Sequence, residues 1–430
     1  VATYPSAPDF YPGAAGAYPG YLELTGPGPS APELPPPPDK VAPEPPALVV
    51  DAPQSTWLFG IGPAREGGIT HDIPQTSMRK LSVKLTESSD ASFEMDGRDP
   101  VAGWIDELAT DLHVLYRRSP ADARQQLYRG RIGKASDKGS KESHRLSVPS
   151  VDYRGVLKRR YLFTGAQQTW TGVDQTAIGW GLITQTQNAT GGGGYLGITN
   201  GSVPSGITRD RTYELADEIG AKIQELSEVQ DGFDWDIVPV NERVLEYQTW
   251  YPRRGLDRNV LIEYGGNASE FTRDVDSGAY ANAIRMTGKA PEGGGSEPPP
   301  HERYAADITT APQGRWEAVI GSDMVTAAAV NDRIGWQLAE SQVVRPSYSF
   351  TMKRGWWQGP DHCWVGDGVL VRLISGRLNV TDAVMRVYEM EFTPDPNGGE
   401  AVTVTVNAPK PNPARRAAAI EQRIAALERR

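Results

Sequence analysis

The sequence is nearly without cysteine: Cys363 stands alone among 430 residues. A single thiol excludes an internal disulfide and any site built from several thiolates. Positive charge is not in excess either. Forty-four Lys and Arg face 54 Asp and Glu, a formal net charge of −10, which argues against a domain-wide footprint for nucleic acid. Long apolar runs are missing. No run nears the roughly 18 residues of a spanning helix, and no basic start leads into an apolar stretch, so neither a membrane span nor a signal peptide is expected. The five histidines, at 71, 113, 144, 301 and 362, include no pair at the i, i+4 spacing that sets two ligands on one helix face. His362 and Cys363 are too close in the chain to chelate one tetrahedral ion easily.

Catalytic signatures are equally scarce. There is no Gly-x-Ser-x-Gly elbow, and Asp361-His362-Cys363-Trp364 matches no nucleophile signature. The glycines of Thr190–Gly194 lack the Lys and Ser/Thr of a phosphate loop. Asp395-Pro396-Asn397-Gly398-Gly399-Glu400 reads as a hairpin turn before a calcium loop. The carboxylate groups Asp106-Glu107, Glu214 with Asp217-Glu218, and Asp234 with Asp236 read as solvated faces, all but the last pair on helices. A glycosidase dyad stays open, because such partners are set in space. No catalytic residue, metal or cofactor is therefore expected. The Asn-x-Ser/Thr triplets at Asn188, Asn200, Asn267 and Asn379 read as chance. Arg117-Arg118, Arg129-Gly130-Arg131, Lys158-Arg159-Arg160 and Arg253-Arg254 read as contacts to acidic neighbours or as a channel lining.

Proline and glycine are what the sequence does have, and proline is uneven. Fifteen of 35 prolines fall in residues 1–53. Proline fixes φ and removes a donor, so this arm is extended or polyproline-like. Its aromatics Tyr4, Phe10, Tyr11, Tyr18 and Tyr21 make anchors for a groove. A solvated tail is the plain alternative; order through contact with neighbouring chains is the expectation adopted.

The rest divides by pattern. Residues 54–151 are β-rich, with strands at Trp57–Ile61, Leu81–Leu85, Val114–Tyr116, Gln126–Ile132 and Arg145–Val151. Asp99-Pro100 opens a helix carrying Val101, Trp104, Ile105, Leu108 and Leu112, and 133–143 is a charged loop. Residues 152–267 are mixed. They hold helices at Gln175–Gln187 and across Leu215, Ile219, Ile223 and Leu226, and strands at Phe233–Val238, Val244–Tyr251 and Val260–Tyr264. Residues 268–408 are β-rich, with a helix through Val330, Ile334 and Leu338, strands at Val369–Ile374 and Val384–Phe392, and a closing hairpin ending on Val402, Val404 and Val406.

Residues 409–430 turn helical after Pro409, Pro411 and Pro413. Ala417, Ile420, Ile424 and Leu427 form an a–d–a–d seam. Arg416 and Arg423 then fall at g and Glu421 and Glu428 at e, pairing opposite charges between parallel helices. A trimeric coiled coil held by a larger ring is expected; one helix docked on its own barrel is the alternative.

An ordered series of motifs resembles a family. It runs Phe93, Asp96-Gly97, Asp99-Pro100, Asp111-Leu112, Leu127 to Gly133, His144, Val151-Asp152-Tyr153-Arg154 and Arg159-Arg160-Tyr161. It continues through Gln185-x-Gln187, Leu196-Gly197-Ile198-Thr199, Gly232-Phe233-Asp234-Trp235, Tyr264-Gly265-Gly266-Asn267 and Trp364-x-Gly366-Asp367. This series, across about residues 55–408, resembles the baseplate or tail hub proteins (minor tail proteins) of long-tailed actinobacteriophages. The resemblance implies an α+β chain of two β-barrel-like hub domains with an inserted α/β domain, and no enzymatic activity. It implies a homotrimer at the tail tip that adapts a sixfold tail to a threefold tip. Its partners would be the distal tail ring protein, the tape measure protein and downstream tail-tip or fibre proteins, with DNA passing unspecifically through the channel. The Pro-rich arm departs from that pattern. A glycan-binding adhesin, suggested by Trp356-Trp357 and Trp364, and a tail-borne peptidoglycan hydrolase are the alternatives.

Overall fold

The computed structural model describes residues 56–407, apart from 74–77, 164–166, 189–192, 230, 276, 279, 289–295, 322–326, 343–345 and 396–398. The arm with Tyr4, Phe10, Tyr11, Tyr18 and Tyr21 lies outside the described residues. So does the terminal segment with Arg416, Ala417, Ile420, Glu421, Arg423, Ile424, Leu427 and Glu428.

The chain is α+β and mostly strand. Eight strands come first: β1 (Thr56–Pro63), β2 (His71–Asp72), β3 (Arg79–Lys84), β4 (Asp90–Asp96), β5 (Thr110–Arg117), β6 (Gln125–Ile132), β7 (Ser136–Gly139) and β8 (His144–Asp152). An α/β insert follows: α1 (Tyr153–Leu157), β9 (Gln168–Asp174), α2 (Gln175–Gln187), β10 (Ile198–Gly201), β11 (Thr208–Tyr213), α3 (Ile219–Ser227), β12 (Asp234–Pro239) and β13 (Leu245–Trp250). Then come β14 (Asp257–Glu263) and β15 (Ala268–Asp274), and a satellite of β16 (Ala283–Thr287), β17 (His301–Tyr304), β18 (Glu317–Gly321) and α4 (Ala327–Ser341). The chain closes with β19 (Ser347–Met352), β20 (Gly368–Ser375), β21 (Leu378–Pro394) and β22 (Glu400–Val406).

Fourteen strands share one curled, half-barrel sheet. Its path runs β15-β19-β22-β21-β3-β4-β8-β6-β5-β1-β2, with β20 and β14 branching from β21 and β7 from β8. The 17-residue β21 is the junction. It pairs with β20 through its first half and with β22 and β3 through its second, where Phe392 faces Leu81 and Met390 faces Val83. Those four side chains are buried, so the first and last strands enclose one apolar cluster. Ile262 and Ala268 belong to it too. The insert has its own core around Tyr153, Ile178, Leu182, Ile223, Trp235 and Tyr247, and the satellite a small one where Val330, Ile334 and Leu338 meet Ile284 and Met286.

Local chemistry explains where strand and helix differ from expectation. Asp99 does cap, accepting from the Val101 N–H at 2.9 Å with Pro100 behind it. The result is only a five-residue 3-10 turn, Pro100–Trp104, none of it buried. Val101, Ala102 and Ile105 reach the main cluster only partly buried; after this one turn the Leu108 N–H bonds the Ile132 carbonyl, and Leu112 becomes a core residue of β5. Within 133–143, exposed Ser136–Gly139 pairs with β8 through the backbone ladder and the Asp137–His144 side-chain contact at 2.7 Å, which no apolar pattern could announce. Leu215 stays half exposed ahead of α3, because Ala216 at φ +68° turns the chain first. α2 spans Gln175–Gln187, as its pattern indicates, with Asp174 capping it at Thr176.

Candidate functional site: an ion-paired seam

β5 is buried on both faces. Leu112, Val114 and Tyr116 point into the sheet's core, while Asp111 and His113 alternate to the other side. Asp111 is the knot of that side. Its Oδ2 accepts from Arg129 Nε at 2.8 Å and from Tyr153 Oη at 2.7 Å, and its Oδ1 from Arg131 Nε at 2.7 Å. Arg129 also donates to the carbonyls of Ala64 at 2.9 Å and of Arg243 at 3.1 Å, the latter in the β12–β13 turn of the insert. The arginine cluster at 129–131 thus meets an acidic neighbour and ties body to insert. Burial, with Asp111 adding to it, pushes the Tyr153 phenol up to about 12. Burial first, then Arg129, pulls His113 down to about 4, so it is a neutral core imidazole at pH 7.

A second clamp closes the connection back to the body. Asp236 pairs with Arg254 Nη1 at 2.6 Å, and Asp234 accepts from the Arg254 N–H at 2.6 Å and from Arg386 of β21. These carboxylates are not the solvated pair expected; each is committed to an arginine. Asp106-Glu107 and Glu214 with Asp217 and Glu218 likewise lie in loops and not on helices. Beside this clamp Gly255 and Gly366, at φ +87° and +98°, cross so closely that a Cβ on Gly255 would lie 2.3 Å from the Gly366 carbonyl carbon. Only glycine tolerates both the left-handed backbone and that approach. Asp367 then receives the Leu256 N–H at 2.8 Å and the Trp364 N–H at 2.9 Å.

Between the two clamps lies a cavity of about 120 Å³, lined by Tyr128, Asp152, Asp236, Arg254, Pro360 and Trp364 among others. Asp152 ends β8 and caps α1, accepting from Gly155 N–H at 2.9 Å and from Ser89 N–H at 2.7 Å. Burial lifts its carboxyl to about 6, against the pull of Arg154 and with a push from Asp236. A carboxyl raised in the fold binds its proton more tightly there than in the unfolded chain. The stability linked to that proton is therefore complete below about pH 4 and lost as pH rises through about 6. It amounts to about 3 kcal/mol. Asp152→Asn should flatten this slope between pH 4 and 6 relative to the parent chain in urea titrations at stepped pH. Parallel profiles for the two proteins would refute the assignment.

The tryptophans that suggested a glycan platform are core residues. Trp357 is 2 % exposed and lies 4.5 Å from Phe392, 4.6 Å from Tyr116 and 5.9 Å from Trp57, centroid to centroid. Trp356 is buried, and partly buried Trp364 packs against the same cluster. Cys363 is fully buried, its backbone carbonyl holding Trp357 Nε1 at 2.9 Å. Burial, with Asp367 beside it, pushes the thiol up to about 12, so no thiolate forms near neutrality. Among the described residues no three His, Cys, Asp or Glu side chains converge as a metal site, and no helix is long and apolar enough to cross a membrane.

No protein-family model and no curated protein matches the sequence. Solved structures do match the fold. A 43 kDa tail protein of prophage MuSo2 from Shewanella oneidensis superposes with a TM-score of 0.57 at 14% identity, over 82% of this chain and 98% of that one. A tail protein from Neisseria meningitidis MC58 gives 0.54 at 13% identity, over 82% and 96%. The strand arrangement joined at β21, with its clamped insert, is thus similar in fold to phage tail proteins along nearly their whole length.

Proposed function

We propose that this chain is a structural virion protein of a phage tail: a homotrimeric hub at the tail tip or baseplate, adapting a sixfold tail to a threefold tip. The observation that carries this reading is a fold similar to two tail proteins over almost all of their residues, in which one half-barrel sheet joins the first and last strands of the chain at β21. In the hub resemblance each subunit contributes two barrel-like domains, so three copies would supply six units around one axis, which is the arithmetic a six-to-three adaptor requires. The motif series of actinobacteriophage hub proteins points the same way. In this reading the arm 1–53 and the heptads from Ala417 to Leu427 serve as contacts to neighbouring subunits and to the ring, tape measure and fibre proteins. The work is assembly and not catalysis, in keeping with Asp234 and Asp236 each bound to arginine and Cys363 held as a buried thiol.

Native mass spectrometry of the full chain should find a species at three times the 46.8 kDa chain mass. A chain that stays monomeric at every concentration tested would overturn the hub reading. Release of peptidoglycan fragments that Asp234→Asn abolishes would overturn the non-enzymatic one.

A further inference from the structure

The two ends of β5 differ in character. At its N-terminal end the loop after β4 exposes Trp104 and Leu108, at 63 % and 58 % of their surface. Leu108 sits at φ +73°, a left-handed conformation that a bulky residue adopts only when its surroundings impose it. Its backbone is fixed from both sides, N–H to the Ile132 carbonyl at 2.7 Å and C=O from Arg131 Nη1 at 2.9 Å. The strained residue therefore presents an apolar side chain to solvent. His71 stacks on Trp104 with centroids 4.6 Å apart. Acids dominate the surround. Asp72, Asp106 and Glu107 are exposed, while Asp96 and Asp99 accept local N–H groups; the cations at this end are Arg65, Arg98, Lys134 and Arg131, the last paired with Asp111.

The other end lies about 23 Å away along the strand. There the β5–β6 hairpin exposes Arg118 and Arg124, with Asp122 turned to the Ser119 hydroxyl at 2.8 Å and Arg117 bound to Thr56 Oγ1 at 2.7 Å. One end is acidic and apolar; the opposite end is basic.

We propose that the two ends meet between copies of this chain, the Trp104–Leu108 rim of one subunit packing on the Arg118/Arg124 hairpin of the next. About a twofold axis the two unlike ends, about 23 Å apart, would have to meet in two reciprocal contacts at once, whereas a threefold hub needs each contact only once per neighbour. A head-to-tail contact repeats, and closes into a ring when the rotation per step allows. The guanidinium groups would lie over Trp104, an arrangement favoured by the ring's negative face, while Asp106 and Glu107 supply charge at the rim. This inference rests on the self-associating hub reading and names its subunit contact.

The experiment is charge exchange in the full chain, read by sedimentation velocity and native mass spectrometry. Arg118→Glu with Arg124→Glu, and separately Asp106→Arg with Glu107→Arg, should each weaken association at least tenfold. The quadruple variant should restore it, because every interface then carries the exchanged signs. Trp104→Ala should weaken association with no change in urea midpoint, since its side chain is mostly exposed. A parent chain that never associates overturns the hub reading itself. A parent that trimerises while the charge variants trimerise equally well overturns this contact alone, as does a quadruple variant no better than the doubles.

Discussion

Asp111→Ala should cost the fold about 3–5 kcal/mol, because it leaves Arg129 as an uncompensated buried cation. The size follows from the surroundings of the pair. Both side chains are at most 1 % exposed and their closest atoms are 2.8 Å apart. Arg131 and Tyr153 lose an acceptor at the same time. Exposed pairs on this protein, such as Lys80–Glu391 with both partners over one third open, are worth at most about 1 kcal/mol and make a proper control. A second variant separates charge from packing. Asp111→Leu with Arg129→Met should recover part of the loss, since replacing both ions together is often close to neutral. Recovery should stay incomplete, because the Arg243 carbonyl loses its donor and Arg131 its carboxylate, while Tyr153 Oη can still donate to the Ala64 carbonyl. Urea midpoints of the three proteins decide the matter. A loss under about 1 kcal/mol for Asp111→Ala would mean that water reaches the pair, contrary to its burial.

The seam's chemistry was visible in the sequence only as residue types. Arg129-Gly130-Arg131 stood out as a cluster needing acids, and the structure supplies Asp111. Nothing local pointed to Asp111 itself, because β5 alternates Asp111, His113 and Leu115 against Leu112, Val114 and Tyr116. A strand reads as half-solvated when one face carries Asp and His. Here that face is covered by an insert that arrives some forty residues later in the chain. Strands with an unambiguous period, β22 with its Val402, Val404 and Val406 and β1 around Phe59, were legible because one apolar face meets one core. Phe392 and Leu81 each read as strand residues, yet their pairing spans the chain and no spacing encodes it. Trp356, Trp357 and Trp364 show the same limit from the other side. Their composition fits a sugar platform and a barrel core equally, and only burial distinguishes the two.

Phe392→Ala should destabilise both halves of the body together, by about 3–5 kcal/mol. The ring is fully buried, 4.5 Å from Trp357, 5.3 Å from Trp57 and 6.0 Å from Trp364, and Phe392 faces both Leu81 on β3 and Val402 on β22 across the ladder. Its removal opens a cavity in a place where strands from the beginning and the end of the chain share neighbours. Because β21 is hydrogen-bonded to β3 on one side and to β22 on the other, neither half can keep its edge once this strand loosens. Hydrogen exchange on the full chain should therefore show protection falling in β4, β5 and β6 as well as in β19 and β22. Ile334→Ala provides the contrast. Ile334 is fully buried too, but its cluster contains only satellite residues such as Ile284, Met286 and Val330, so deprotection should stay within β16–β18 and α4. Should Phe392→Ala deprotect β19 and β22 while β4, β5 and β6 keep their parent protection, the two halves unfold separately. The continuous sheet would then be a geometric continuity without a shared cooperative unit.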